Sequence, residues 1–233
     1  MTIHYDLVQY PTSDTIKIVT HLLERITKTN DRLQQKTSRH TSRYACFYAR
    51  AIPSIDIQSY LGRILKYCPC SNECFLSLLV YFDRMSRNSS GLRIDSYNIH
   101  RLVITGIMVA SKFFSDIFYT NARYAKVGGL PVSELNALEL QFLKLNNFKL
   151  NVQVEELQQY GDQLLWHWIR ENQKSAMYRP VVEYKNEDYK PAISYKSDNG
   201  NNTLNSKIRS CSSHLLLATE KPVSEKYDSI TRC

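Results

Sequence analysis

The 233-residue chain has no uninterrupted apolar run of about 18 residues, so no segment is expected to cross a membrane. Near the N-terminus, His4, Tyr5 and Asp6 interrupt any apolar core, and no signal peptide is expected there. Lys and Arg are scattered and form no polybasic arm, although the formal net charge is +8. That charge favours acidic partners, whether an acidic protein face, phosphorylated residues or nucleic acid, and without a polybasic arm direct nucleic-acid binding is not expected. Motifs with a catalytic mechanism are also missing. The six histidines, His4, His21, His40, His100, His167 and His214, make no metal-binding pair, and there is neither a nucleophile elbow nor a phosphate loop. No catalytic residue, cofactor or metal is therefore expected. No internal repeat occurs.

Cysteine use points the same way. Cys68, Cys70 and Cys74 lie within seven residues, while Cys46, Cys211 and Cys233 stand apart. Three of the four ligands of a structural zinc site would be at hand, but the fourth is missing. The cluster reads as small apolar side chains at a helix junction, and the thiols as free in an intracellular, reducing setting.

What is present is helical periodicity. Ile16, Val19, Leu22, Leu23 and Ile26 recur at spacings of three and four, which predicts an amphipathic helix over about 14–33. A polar linker follows over 36–43. Pro53 forces an extended residue before it, and a helix is predicted to begin near Asp56, with Ile57, Tyr60, Leu61 and Ile64 on one face. Gly62 inside this helix is costly relative to alanine, and a close helix–helix approach would explain it. Ser71 is a plausible cap for a helix reaching Met85, apolar nearly all round. A second such helix spans about 97–114. Two helices with so little polar surface argue for a bundle with central members. Gly128, Gly129 and Pro131 punctuate the chain before a helix of about 14 residues starting at Ser133. A last periodic piece covers 155–169. Beyond Glu171 the apolar residues thin out, and the polar 171–233 tail is expected to be largely disordered, apart from a short amphipathic stretch around 204–217.

Charges inside the apolar helices need partners or an exposed place at an interface. Arg63, Asp83, Lys112 and Glu139 are such residues, and ordinary solvent-facing charge is the plain alternative. At these positions the sequence resembles the cyclins, in the PHO80-like or P-type branch. The cues are Ala51-Ile-Pro-Ser-Ile-Asp-Ile-Gln-Ser-Tyr-Leu-Gly-Arg-Ile, Tyr81-Phe-Asp-Arg, Val109-Ala-Ser-Lys-Phe and Tyr124-Ala-Lys-Val-Gly-Gly, the last running on through Ser133-Glu-Leu-Asn to Leu138, Glu139, Phe142 and Leu143. Four matches in order are far more specific than any one.

The resemblance implies an all-α fold. A single cyclin box over 44–150, a five-helix bundle, would be flanked by an N-terminal helix and linker over 1–43 and a C-terminal helix over 151–170. It implies that Arg63 and Asp83 form an internal structural pair. Lys112 and Glu139 would meet a kinase, with Phe113, Phe114 and Phe142 as candidate apolar anchors. The partner would be a cyclin-dependent protein kinase, PHO85-like or another, activated in the cytoplasm or nucleus for cell-cycle or nutrient and phosphate signalling. The Met-Arg-Ala-Ile-Leu docking motif of mitotic-type cyclins is absent, since 57–64 keeps only its Arg. A second complete cyclin box is also absent. The rival reading is a cyclin-fold adaptor or transcription-associated protein with no kinase.

Overall fold

A computed structural model describes residues 4–34, 44–88 and 93–177, with side chains as far as 173. The described residues form seven α-helices and no strand: α1 (Thr12–Gln34), α2 (Ile57–Tyr67), α3 (Asn72–Asn88), α4 (Ile99–Phe114), α5 (Asn121–Gly128), α6 (Val132–Leu145) and α7 (Val154–Met177). A single 3-10 turn, Ala45–Phe47, precedes α2. The all-helical expectation holds. The expected tail over 178–233 lies outside the described residues.

Helix boundaries follow local chemistry. Asp56 caps α2: its carboxylate accepts the Ser59 N–H at 2.7 Å, and the backbone hydrogen bonds hold its own pKa below the usual carboxylate value. Thr120 does the same for α5 through Arg123 N–H. At the other end of α5, Gly129 has φ +69°, a left-handed conformation that ends the helix.

The two apolar helices are the centre of the bundle, as their sequence predicts. From Leu102 to Ser111 every residue of α4 is buried, and α3 is buried without a break from Cys74 to Asp83. Their approach is tightest at Gly106. A β-carbon there would collide with the end of the Leu78 side chain and sit 3.1 Å from Phe142, so any larger residue would force the packing of α3, α4 and α6 to shift. Gly62 behaves otherwise. A β-carbon on it would meet nothing within 4 Å, so close helix packing is not the reason for this glycine.

The flanking helices share this core. Ile16, Val19, Leu22 and Leu23 of α1 are buried in the same apolar cluster as α2 and α3. Tyr5, ahead of α1, hydrogen-bonds Thr15, which in turn reaches Asn72 of α3 at 3.0 Å. A β-carbon on Gly161 of α7 would stand 2.6 Å from the Tyr5 ring, so the N-terminal segment and α7 pack together. On the opposite side Arg84 of α3 pairs with Glu156 of α7 at 2.8 Å and donates to the carbonyls of Lys149 and Asn151.

The expected Arg63–Asp83 pair does not form. Arg63 lies on the exposed side of α2 and reaches only the Lys126 carbonyl, at 3.4 Å. Asp83 is wholly buried. Its Oδ2 is 2.8 Å from Arg87, one turn further along α3, and accepts the Tyr160 hydroxyl of α7. The physical reason is placement: Arg63 and Asp83 point to different sides of the bundle. Arg87 and Tyr160 supply what a buried carboxylate requires.

Candidate functional site

The C-terminal turn of α4 brings Lys112 to the surface beside α6. Its Nζ lies 2.7 Å from Glu139 Oε1, and the two side chains are 27% and 19% exposed. Both are therefore partly desolvated yet accessible. The other carboxylate oxygen of Glu139 accepts from Asn121 Nδ2 at 2.8 Å, and Asn121 also reaches Asn136 Oδ1 at 2.7 Å. Three elements, α4, α5 and α6, thus fix one ion pair. Farther along the same helices, Arg101 and Glu134 make a second link between α4 and α6.

Apolar side chains stand exposed on the elements that carry the Lys112–Glu139 pair. Phe113 follows Lys112 and is 46% exposed, and Leu140 follows Glu139 and is 49% exposed. The loop between α4 and α5 exposes Ile117 and Phe118, and its far end leads to Asn121. Phe114 is half-buried against the core and meets Phe113 edge to face, with ring centroids 5.0 Å apart. Phe142 is not part of this surface. It is fully buried, between Tyr81 and Phe82 at centroid distances of 6.0 and 6.4 Å, and lines the narrow approach at Gly106. The structure therefore pairs Lys112 with Glu139 and places Phe113 and Phe114 directly after Lys112 in the last turn of α4. It removes Phe142 from any interface as a correction: the inward face of α6 carries it into the core.

Asn121, Leu140, Ile117 and Phe118 were missed by sequence reasoning. Ile117 and Phe118 lie in a short apolar-aromatic stretch between two helices with no periodicity to orient it, while Leu140 sits on α6 outside the buried period and Asn121 opens α5. Among the described residues, no group of three or more His, Cys, Asp or Glu is arranged to hold a metal ion. Cys46, Cys68, Cys70 and Cys74 are free thiols, and burial pushes the Cys68 thiol above its usual pKa. None of the described helices is long and apolar enough to cross a membrane.

Two central apolar helices, three more completing a bundle, one flanking helix on each side and a partly buried Lys–Glu pair linking α4 to α6 define a cyclin-type helical domain. The cyclin family profile matches residues 13–150, from the start of α1 to the segment after α6. PHO85 cyclin-like protein psl1 of Schizosaccharomyces pombe is 46% identical over 188 residues, covering 76% of this chain and 76% of that protein. PHO85 cyclin-7 of Saccharomyces cerevisiae is 46% identical over 182 residues, covering 70% of this chain and 64% of that protein. Cyclin-U4-1 of Arabidopsis thaliana is 46% identical over 140 residues, covering 60% of this chain and 69% of that protein. The chain belongs to the cyclin family, in its PHO80/PHO85-type branch.

Proposed function

We propose that this protein is the non-catalytic regulatory subunit of a cyclin-dependent protein kinase of the PHO85 type, which it binds and activates. The observation that carries the reading is the Lys112–Glu139 pair, held at 2.7 Å by α4, α5 and α6 and left partly open to a partner. Such a pair, already oriented by Asn121, has unused hydrogen-bonding capacity, an ammonium N–H and a carboxylate lone pair, for a partner's backbone. Phe113 and the exposed Leu140 supply apolar contact area beside it, the combination that a specific interface needs.

Activation then follows from position. A cyclin that grips the kinase's regulatory helix holds it where the kinase's own Lys–Glu ion pair can close, and the kinase performs the chemistry. The relatives named for PHO85 support this partner class, and the reading carries with it an intracellular place of action.

The test is affinity purification of the full chain from its native cells, followed by mass spectrometry of what is retained. A stoichiometric cyclin-dependent kinase, active only in the complex, is the expected result. Recovery of transcription-associated proteins and no kinase would refute the proposal in favour of an adaptor.

A further inference from the structure

A groove of about 850 Å³ lies between α2 and α5, lined by Ser59, Gly62, Arg63, Lys66, Arg123 and Lys126 among others. Four of its lining residues are cations, and no carboxylate lines it. The two on each helix are three residues apart, so Arg63 and Lys66 share one face of α2, and Arg123 and Lys126 share one face of α5. All four are exposed. Among the described residues several other Lys and Arg side chains pair with acids, as in Lys17–Asp14, Arg25–Glu171, Arg84–Glu156 and Lys112–Glu139. No such ion pair involves any of the four groove cations.

Arg123 is also held in place. Its Nε donates to the Tyr67 carbonyl at 2.8 Å, and its guanidinium lies 4.1 Å from the centroid of the Tyr119 ring. Arg63 spans the groove to the Lys126 carbonyl. Like charges gathered without a counter-charge repel one another and weaken the fold, an arrangement that an anionic ligand relieves. Gly62 gains meaning here. With no side chain and nothing within 4 Å of where one would start, it leaves the α2 wall clear for a peptide backbone.

We infer that the α2–α5 groove docks a phosphorylated serine or threonine of a partner protein, with Arg63, Lys66, Arg123 and Lys126 as its cationic receptors. A phosphoryl group brings a charge of about −1.5 to −2 and three acceptor oxygens, which several converging cations satisfy better than a single carboxylate does. The inference rests on the regulatory-subunit reading in one respect: a bound phosphoprotein would be presented to the associated kinase as a substrate already phosphorylated elsewhere. Phosphopeptide binding itself needs only this chain.

The test is fluorescence anisotropy with the full chain and a short labelled glycine–serine peptide carrying one central phosphoserine. Its unphosphorylated twin and an oligoglutamate peptide serve as controls. The phosphopeptide is expected to bind at least about tenfold more tightly than either control, and less tightly as salt rises. Lys66→Glu/Lys126→Glu, two exposed changes that leave the Arg123 contacts in place, is expected to cost at least about tenfold in affinity while kinase capture persists. Equal binding of phosphopeptide and controls, or unchanged binding by the double variant, would overturn the inference. So would loss of kinase capture in the double variant, because the groove would then belong to the kinase interface. Failure of the wild-type chain to capture any kinase would be a separate result, bearing on the regulatory-subunit reading alone.

Discussion

Tyr160 of α7 donates its hydroxyl to Asp83 Oδ2 of α3, joining a helix that follows the matched family region to a buried carboxylate at its centre. Asp83 is wholly buried, and Arg87 holds the same oxygen at 2.8 Å. Burial and the Asp83 carboxylate push the Tyr160 phenol well above its usual pKa, so it remains a donor at any physiological pH. The consequence is that α7 is structural. Tyr160→Phe is expected to destabilise the fold by about 1–3 kcal/mol, measured by urea unfolding, because it removes a donor from a buried charge. A chain ending at Leu150 is expected to lose cooperative unfolding altogether, since α7 also buries Leu157 and Leu164.

The two phenylalanines Phe113 and Phe142 separate binding from folding. Phe142→Ala empties a site lined by Tyr81, Phe82 and Gly106, and is expected to cost about 3–5 kcal/mol in thermal or urea unfolding. Phe113→Ala removes a half-exposed ring and is expected to change stability by about 1 kcal/mol or less. Kinase capture should respond in the opposite way. Quantified pull-downs normalised to folded protein are expected to fall for Phe113→Ala and to stay level for Phe142→Ala.

Much of the fold could be read from the chain because local rules and tertiary packing agree. Asp56 caps α2 where a capping residue meets an apolar period, and α3 and α4 are buried all round as their composition requires. The site was less accessible to pattern reading. Lys112 and Glu139 are 27 residues apart, and only family resemblance paired them. The same resemblance misplaced Arg63, because an Arg between apolar neighbours on α2 can face either Asp83 or solvent, and spacing does not decide. Phe142 failed for a different reason: it shares the three-and-four period of Leu135, Leu138 and Leu145, which marks the buried face of α6, and its reading as an interface anchor went against that period. The α2–α5 groove combines cations some 60 residues apart in sequence, and scattered Lys and Arg give no warning that they converge.

His100 is expected to make the fold sensitive to mild acid. Its ring packs edge to face on Tyr60 at 4.9 Å, Nε2 lies 2.8 Å from the Ile55 carbonyl, and Nδ1 is buried with no hydrogen-bond partner. Burial lowers its pKa below 6.5, outweighing the opposing pull of the Ile55 carbonyl and Asp56. His21, half-buried beside Arg25, shifts in the same direction. A histidine with a depressed folded-state pKa takes up its proton more readily when unfolded. Its contribution to stability is therefore complete above the unfolded value and is lost as pH falls below about 6.5. Melting temperature is expected to drop between pH 7 and pH 5.5, and His100→Gln is expected to flatten that slope. An unchanged slope in the variant would assign the effect to other groups.

In the proposed regulatory complex, Lys112 and Glu139 together form the kinase-gripping surface. The most direct test is quantitative kinase capture by Lys112→Glu and Glu139→Lys, each compared with wild type at equal amounts of folded protein. Each substitution places two like charges where a 2.7 Å ion pair stood, and because that pair is partly exposed the fold is expected to survive the change. Capture is expected to fall at least about tenfold for each variant, with the unfolding midpoint nearly unchanged. Capture at the wild-type level by both folded variants would contradict the account.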